Sequence, residues 1–293
     1  MSPKLAATLI AVDIGNSRIK LGRFNRAGHC AGAATSRPPP ITALLLPEPA
    51  ETFELTLAEH SGSFDWQPLN DWCTEHVDSN ARWSVASVHR GATERFTSSV
   101  NDLAKERNAD WSIHQLSYRD VPLMIRVDEP QRVGIDRLFG ALAANRIRRP
   151  DRAAIVVDSG SAITVDVVSA DGAFCGGAIL PGIAMAARAL DEQTDALPRV
   201  VLSEAESPPP PVGTSTTAAI ESGLFWGAVG AIRELVRQFS TNFAAAPEVL
   251  ITGGASPRIA EQLAIGAEWS VRHVPHLVLS GIALVDYDRF ASH

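Results

Sequence analysis

"LIAVDIGNSRIKLGRF", residues 9–24, is an apolar run that ends in the carboxylate of Asp13 and restarts after a short turn. Its pattern predicts two strands, over residues 9–13 and 18–24. The Gly15–Asn16 pair between them tolerates the left-handed backbone that a tight hairpin turn requires. We therefore predict a hairpin whose buried first strand ends in an acid.

The same pattern of an apolar run that ends in an acid recurs in "AIVVDSGSAITVDVVS", residues 154–169, where the acid is Asp158. Here the pattern predicts strands over residues 154–158 and 163–168, joined by a turn that contains glycine and serine. Backbone N–H groups released in such turns can bind phosphate oxygens, and the adjacent carboxylate can hold a divalent cation or its waters. No G-x-x-x-x-G-K-[ST] loop occurs in the chain, so we predict phosphate binding by two acid-ended hairpins.

The bulk composition is that of a soluble globular protein. The chain has 293 residues, 45% hydrophobic and 20% charged, which is enough for two domains. A net charge of −7 argues against nucleic acid as a partner. No apolar run approaches the roughly 18 residues that span a bilayer, so we expect no membrane partner. Three scattered cysteines (Cys30, Cys73 and Cys175) without C-x-x-C spacing favour a reduced, cytoplasmic setting.

Strands alternate with helices along both halves of the chain, which is typical of the α/β class. We place a domain boundary near residue 150, which gives domains of residues 1–150 and 151–293. The proline-rich residues 35–50 predict a loop or an irregular edge. The other main elements predicted are a strand at 83–90, helices at 92–106, 128–150 and 217–238, and a strand with a glycine turn at 248–256.

A phosphate-binding hairpin at the start of each half, with Thr-Gly-Gly after a later strand, resembles the actin, hexokinase and Hsp70 kind of ATPase. In those proteins, two similar ribonuclease-H-like domains hold the nucleotide in the cleft between them. Motifs spread over the whole chain resemble, in the same order, those of type III pantothenate kinases: "DIGNSRIK", "GIDR", "DSGSAITVD", "GGAILPG", "TDALP", "GTSTTAAIESG" and "TGG".

This resemblance implies an enzyme that phosphorylates pantothenate with ATP, giving 4′-phosphopantothenate in the first step of coenzyme A biosynthesis. It also implies Mg²⁺ with the ATP, a monovalent cation (K⁺ or NH₄⁺) and a homodimer. The alternative is an ATP-binding accessory protein of transcription with weak or no kinase activity. A regulator needs no catalytic base, so an acid at the matching position, Asp136, favours the kinase.

By the same resemblance, the first hairpin turn is a phosphate loop, and Asp13 is the acid associated with Mg²⁺. Asp158 matches the acid that holds the monovalent cation. Ser17 and Ser161 stand where threonines are usual, and they keep the hydroxyl group. The residues that the resemblance assigns to ATP are Asp13, Ile14, Gly15, Asn16, Ser17, Arg18, Ile19, Lys20 and Ser161.

The G-x-D-R motif resembles the family's pantothenate-contacting segment, and Asp136 matches its catalytic base. From the residues alone, an acid in the first turn of a helix is equally explained by the helix dipole. Arg137 either clamps a carboxylate or phosphate or is a solvated helix residue. Thr216 either contacts the substrate or is an ordinary hydroxyl at a helix N-terminus. The acceptor residues assigned by resemblance are Gly134, Ile135, Asp136, Arg137 and Thr216.

Two departures from the family pattern concern the acceptor pocket. Ser215 stands where asparagine is common, and Val127 falls where a tyrosine is often found, so we expect the pocket to differ in shape. The glycine-spaced helix 217–238 is either a dimer contact or a buried core helix. Asp166 is a further candidate for the nucleotide cleft.

Overall fold

The computed structural model describes residues 8–25, 46–58, 61–201 and 207–291, with the backbone alone for 288–291. Of the predicted proline-rich loop, residues 35–45 lie outside the described part, and 46–50 form neither strand nor helix. The strands are β1 Thr8–Ile14, β2 Arg18–Phe24, β3 Glu51–Thr56, β4 Asn80–Ser87, β5 Asp110–Gln115, β6 Ala154–Ser159, β7 Ala162–Val168, β8 Phe174–Pro181, β9 Glu248–Thr252 and β10 Ser270–His273. The helices are α1 Gln67–His76, α2 Arg90–Glu106, α3 Ile135–Ile147, α4 Ile183–Glu192, α5 Thr216–Ser240, α6 Ser256–Ala264 and α7 Leu277–Ala291.

The chain divides into two compact units. The first unit contains the described residues up to Leu123, residues Glu129–Ile147 and the chain from His276 onward. The second unit contains Met124–Asp128 and Arg148–Pro275. The break after Ile147 lies close to the boundary predicted near residue 150. The assignment of everything after residue 150 to one domain differs from this division, because α7 packs on α3 and β1 of the first unit.

Each unit is built on a five-stranded sheet, and the two sheets have the same topology. The strand order is β3-β2-β1-β4-β5 in the first unit and, read in the same sense, β8-β7-β6-β9-β10 in the second. In each sheet the first three strands along the chain are antiparallel, each to the next. The last two strands along the chain lie parallel to the first. This order is the ribonuclease-H-like arrangement, so the prediction of an α/β fold with two similar domains is confirmed.

The central strand β1 is apolar and buried from residue 9 to residue 12 because helices cover both faces of its sheet. Alternate residues of a strand point to opposite faces. Ile10 and Val12 belong to the core that α1 and α2 close, together with the fully buried Trp83 and Phe96. The opposite face of the sheet is covered by α7. In the second unit the core between the sheet and helices α5 and α6 is built in a similar way.

Two predicted boundaries were wrong. The helix predicted over residues 128–150 begins only at Ile135, since Pro130 starts a separate 3-10 turn, Pro130–Arg132. Residue 129 precedes a proline, a position that disfavours helical backbone. The strand predicted to reach residue 90 ends at Ser87 because His89 caps α2, with its Nδ1 accepting the Ala92 N–H at 3.2 Å.

The last helix is locked into the first unit by backbone contact and by a buried ion pair. A Cβ added at Gly281 of α7 would lie 2.1 Å from the Phe139 carbonyl oxygen of α3, so only glycine permits this close crossing. Arg82 of β4 donates from one terminal nitrogen to Asp286 Oδ2 at 2.7 Å, and its Nε lies 2.7 Å from Oδ1. Both side chains are almost fully buried. Among the described helices, none has the length and apolar character needed to cross a membrane.

Replacing Asp286 with alanine should strongly destabilise the protein, because the buried Arg82 guanidinium would lose its counter-charge. Breaking a buried ion pair in this way costs about 3–5 kcal/mol of unfolding free energy. Urea denaturation followed by circular dichroism measures this loss.

The matched control is Glu94→Ala, which removes the exposed partner of Arg90 on α2. Exposed pairs of this spacing contribute about 0.3–0.5 kcal/mol. Equal losses in the two variants would contradict the structural role given to the buried pair.

Candidate active site

The first acid turn joins β1 to β2, as predicted. The left-handed backbone expected at Gly15 and Asn16 is not found, since neither residue has a positive φ. Asp13 lies opposite Lys20 in the antiparallel pair and is half-buried. The Gly15 N–H donates to the Arg18 carbonyl at 2.9 Å, which closes the turn. Asn16 and Arg18 are exposed, so the turn presents its tip to solvent. Strand pairing therefore places an acidic and a basic residue opposite each other next to the open turn.

The residues that follow β4 hold this turn from one side. The carbonyl of Ile14, directly before the turn glycine, accepts the Val88 N–H at 3.0 Å. Ser87 Oγ lies 3.4 Å from the same carbonyl and accepts the His89 N–H at 3.0 Å. The Thr93 hydroxyl lies 2.6 Å from Ser87 Oγ. Sequence reasoning missed this support because it depends on the pairing of β1 with β4.

The second acid turn joins β6 to β7 and carries two of the predicted site residues. Asp158 is half-buried, and the Gly160 N–H donates to the Ala162 carbonyl at 3.0 Å to close the turn. The Ser161 carbonyl accepts the Gly182 N–H at 3.2 Å. A Cβ at Gly182 would lie 2.3 Å from that carbonyl oxygen, so the glycine allows the start of α4 to approach the turn.

A second glycine fits against the acid itself. Gly253 follows β9, which pairs in parallel with β6 so that Asp158 lies opposite Thr252. Its φ of +100° lies in the region that L side chains rarely adopt. An added Cβ would lie 2.6 Å from Asp158 Oδ1 and 2.5 Å from the Ser159 carbonyl oxygen. The "TGG" motif therefore has a steric role beside Asp158, which its sequence position alone did not reveal.

The predicted base, Asp136, lies in the first turn of α3. Its Oδ1 accepts the Arg137 backbone N–H at 2.8 Å. A Cβ at Gly134 would lie 2.6 Å from the same oxygen, so glycine leaves room for this carboxylate. Burial raises the pKa of the Asp136 carboxyl above its ordinary value of 3.8, and the Arg137 N–H and guanidinium charge oppose that rise. The result is a carboxylate of increased basicity.

The start of α5 places Thr216 one residue after the helix cap. Ser215 is the N-cap, with its hydroxyl accepting the Ala218 N–H at 3.2 Å. Thr216 is the first helical residue and is exposed, so it is not the capping hydroxyl. The serine that replaces the usual asparagine is therefore engaged by the helix.

Three further sequence candidates are placed by the structure. Asp166 is buried within the sheet, with a relative exposure of 1%, which argues against its role as an open cleft residue. Val127 lies in the second unit, where its Cγ1 would touch a Cβ at Gly176 at 3.4 Å. The glycine face of α5 is exposed, and added Cβ atoms on it would meet nothing within 4 Å: Gly223, Gly227 and Gly230.

The site residues fall into two groups, one in each unit. The first unit holds the turn Asp13–Lys20 and the segment Gly134–Arg137. The second unit holds Asp158, Ser161 and Thr216. Each group combines a carboxylate at the end of a strand or the start of a helix with glycines that permit close backbone approach.

Comparison with known proteins decides the family. The profile of the type III pantothenate kinases matches residues 9–238. The chain belongs to the type III pantothenate kinase family. The resemblance drawn from the motifs is thereby confirmed, and the chain is an enzyme of this kinase class.

Individual members of the type III pantothenate kinase family match this chain over most of its length. The type III pantothenate kinase of Rhodopirellula baltica is 33% identical over 282 residues, covering 93% of this chain and 96% of its own. That of Dehalococcoides mccartyi (strain ATCC BAA-2266) is 31% identical and covers 96% of this chain. Among solved structures, the "putative 2-dehydro-3-deoxygalactonokinase protein" from Sinorhizobium meliloti superposes with a TM-score of 0.55 at 11% identity over 96% of this chain. That likeness supports the fold alone.

Replacing Gly253 with alanine should distort the second acid turn, because the new methyl group would overlap Asp158 and a backbone carbonyl. Strain at such a backbone position costs about 1–3 kcal/mol. We expect a corresponding fall in unfolding free energy, measured by urea denaturation, and weaker binding of a fluorescent ATP analogue.

The next residue provides the control. A Cβ at Gly254 would meet nothing within 4 Å. Gly254→Ala should therefore leave both stability and analogue binding close to those of the wild type. If both alanine variants behave alike, the steric role of Gly253 is refuted.

Proposed function

We propose that this chain transfers the γ-phosphoryl group of ATP to the primary hydroxyl of pantothenate, giving 4′-phosphopantothenate in the first step of coenzyme A biosynthesis. The observation that carries the proposal is the family match over residues 9–238, within which the half-buried acid Asp136 lies in the first turn of α3 in the "GIDR" motif. A regulatory protein would not need that acid, and no observation favours the regulatory alternative.

Asp136 acts as the general base in this proposal. A base of raised pKa accepts a proton more readily, and the Arg137 N–H fixes its orientation through Oδ1. The hydroxyl proton of the acceptor moves to the Asp136 carboxylate as the oxygen bonds to phosphorus and the bond to the β-phosphate oxygen breaks. Phosphoryl transfer needs positioning and charge stabilisation more than covalent help, so one placed carboxylate suffices.

ATP binding is assigned to residues Asp13–Lys20 and to Ser161. The first turn supplies backbone N–H groups and the Lys20 ammonium, which suit phosphate oxygens. Asp13 is a half-buried carboxylate at a strand end, a donor that Mg²⁺ accepts. When bound, Mg²⁺ would neutralise charge on the triphosphate. The residues of the turn orient the triphosphate.

The second turn suits a monovalent cation. Its oxygen atoms are the Asp158 carboxylate and backbone carbonyls, and Gly253 and Gly182 keep side chains away from them. Oxygen donors with one formal negative charge fit K⁺ or NH₄⁺. Asp158 is the proposed cation residue, and the cation supplies further positive charge for the triphosphate when bound.

The acceptor site is assigned to residues Gly134–Arg137 and Thr216. The Arg137 guanidinium is the group suited to the pantothenate carboxylate, since it can donate two parallel hydrogen bonds. The exposed Thr216 hydroxyl is available for the polar part of pantothenate. Because Ser215 caps α5, its hydroxyl contributes less to the pocket than an amide side chain would.

We propose a homodimer that uses the exposed glycine face of α5. Residues Gly223, Gly227 and Gly230 leave space for a second helix at close range. Beside them, α4 and α5 border an apolar groove of about 520 Å³ lined by Pro181, Met185, Leu190 and Leu224, among others. A cytoplasmic location remains a prediction from cysteine usage.

Asp136→Asn should abolish phosphoryl transfer while ATP binding survives. Loss of a general base lowers the turnover rate by about 10²–10⁴-fold. A coupled ADP-release assay with pantothenate measures the rate, and calorimetry measures ATP affinity. Asp102→Asn, an exposed α2 acid paired with Lys105, is the control and should be fully active. Substantial turnover by the Asp136 variant would remove the base assignment.

The same variant has an expected pH signature. Folding raises the Asp136 pKa, so the folded state holds its proton at pH values where the unfolded state has lost it. Stability from this group is therefore lost as pH rises from about 4 through the folded pKa. Asn cannot ionise, so the stability of the variant relative to wild type should increase across that window in thermal melts.

Potassium or ammonium should raise the turnover rate and sodium should not, because the oxygen-lined turn suits the larger ions. Asp158→Ala should lose this dependence, since the turn then lacks its negative charge. The test is a titration of each chloride salt at constant ionic strength in the ADP-release assay.

The control for this titration is Asp171→Ala, which removes an exposed acid of the same unit that pairs with Arg126. It should retain the potassium response. Sedimentation velocity on the same samples tests the dimer. A monomer that is fully active in sodium-only buffer would refute both the cation and the dimer proposals.

A further inference from the structure

The proline run "SPPPP", residues 207–211, lies along helix α5 and is tied to it by two side chains. We name this run the proline strap. Trp226 Nε1 donates to the Pro209 carbonyl at 3.0 Å, and Ser222 Oγ donates to the Pro211 carbonyl at 2.8 Å. Ser222 is buried, and the indole of Trp226 also packs edge-on against Phe225. The strap therefore has defined attachment points on one face of the helix.

The spacing of these contacts shows a match between two backbone periods. A residue that precedes proline is pushed to extended backbone, so a run of prolines advances about 3.1 Å per residue. Two strap residues span about 6.2 Å, and four residues of an α-helix span about 6.0 Å. Carbonyls two apart on the strap thus meet side chains four apart on α5. The strap runs antiparallel to the helix.

The same course leads directly into the start of α5. Gly213 follows the strap, and a Cβ there would lie 2.2 Å from the Ala219 nitrogen, within the first turns of the helix. Ser215 then caps the helix, and Thr216 begins it. The contact points on α5 move from Trp226 to Ser222 to Ala219 as the strap advances. The loop before Thr216 is therefore held at both ends.

We propose that Ser222 and Trp226 are positioning residues that preform the turn from Gly213 to Thr216 for the acceptor substrate. Proline has no N–H, so the backbone carbonyls of the strap need hydrogen-bond donors but its prolines need no acceptors. Because the φ of proline is fixed, the strap also loses little conformational entropy when it is attached. The side chains of Ser222 and Trp226 fix the position of the strap, and so the point where the turn begins. The Ser215 cap fixes the point where the turn ends. The acceptor role rests on the proposed function, in which Thr216 contacts pantothenate.

The test compares Ser222→Ala, Trp226→Phe and the double variant with wild type. Trp226→Phe keeps a ring and removes only the N–H donor. Ser240→Ala is the matched control, because Ser240 Oγ donates within the same helix to the Val236 carbonyl and does not touch the strap. Ser222→Thr restores the hydroxyl and should restore the wild-type result.

The first measurement is hydrogen exchange on the substrate-free protein. The prolines carry no amide hydrogen, so the reporters are the amides of Ala218 and Ala219, which donate to the Ser215 hydroxyl and carbonyl at the end of the turn. Loss of one hydrogen bond weakens a contact by about two- to ten-fold, and we expect exchange at these amides to accelerate by that factor in each single variant. Unchanged exchange in the double variant would overturn the proposed attachment.

The second measurement is steady-state kinetics. We expect KM for pantothenate to rise by about two- to ten-fold in each single variant, with KM for ATP unchanged and Ser240→Ala equal to wild type. Faster exchange without a change in KM for pantothenate would overturn the acceptor role, because the strap would then serve stability alone. A wild type that does not phosphorylate pantothenate would overturn the proposed function and this role with it, while an exchange difference would still establish the attachment.

Discussion

Parallel pairing at the centre of each sheet is the constraint on which both acid turns depend. β1 pairs with β4 and β6 with β9, and parallel strands bring their carboxyl ends to the same sheet edge. The residues after β4 and β9 are therefore forced to pack beside the turns. In the first sheet, the Val88 N–H after β4 donates to the Ile14 carbonyl. In the second sheet, Gly253 after β9 lies against Asp158. One topology thus supports two turns with different surroundings.

The environment of Asp136 works against the stability of its charged form. Burial opposes ionisation, and the N–H and guanidinium charge of Arg137, together with the backbone N–H of Asp136, offset only part of that cost. Gly134 permits this arrangement, because any side chain there would displace the carboxylate. A surface acid would be more stable when ionised but a weaker base. The position of Asp136 at the start of α3 makes the carboxylate more basic and the folded protein less stable when this group is ionised. Such a combination is common at functional sites.

Local chemistry explains which parts of this structure could be predicted from the sequence. The two hairpins and the α/β class follow from alternation and turn residues that act over a few positions. The contact of Gly253 with Asp158 could not be predicted, because it depends on strands far apart in the chain. Helix α5 is capped by Ser215, and Thr216 is the residue after the cap. Sequence rules do not place a helix end to within one residue, so they could not tell which of the two hydroxyl groups caps the helix.

The course of the chain passes between the two units more than once. The segment Met124–Asp128 belongs to the second unit although the chain before and after it belongs to the first. At the far end, α7 returns to the first unit and covers β1 there. Because Arg82 and Asp286 meet only when both ends of the chain are in place, the first unit lacks a buried counter-charge until α7 has docked. Closing so long a loop costs conformational entropy, and the packing of α7 with its buried ion pair must offset that cost in the folded protein.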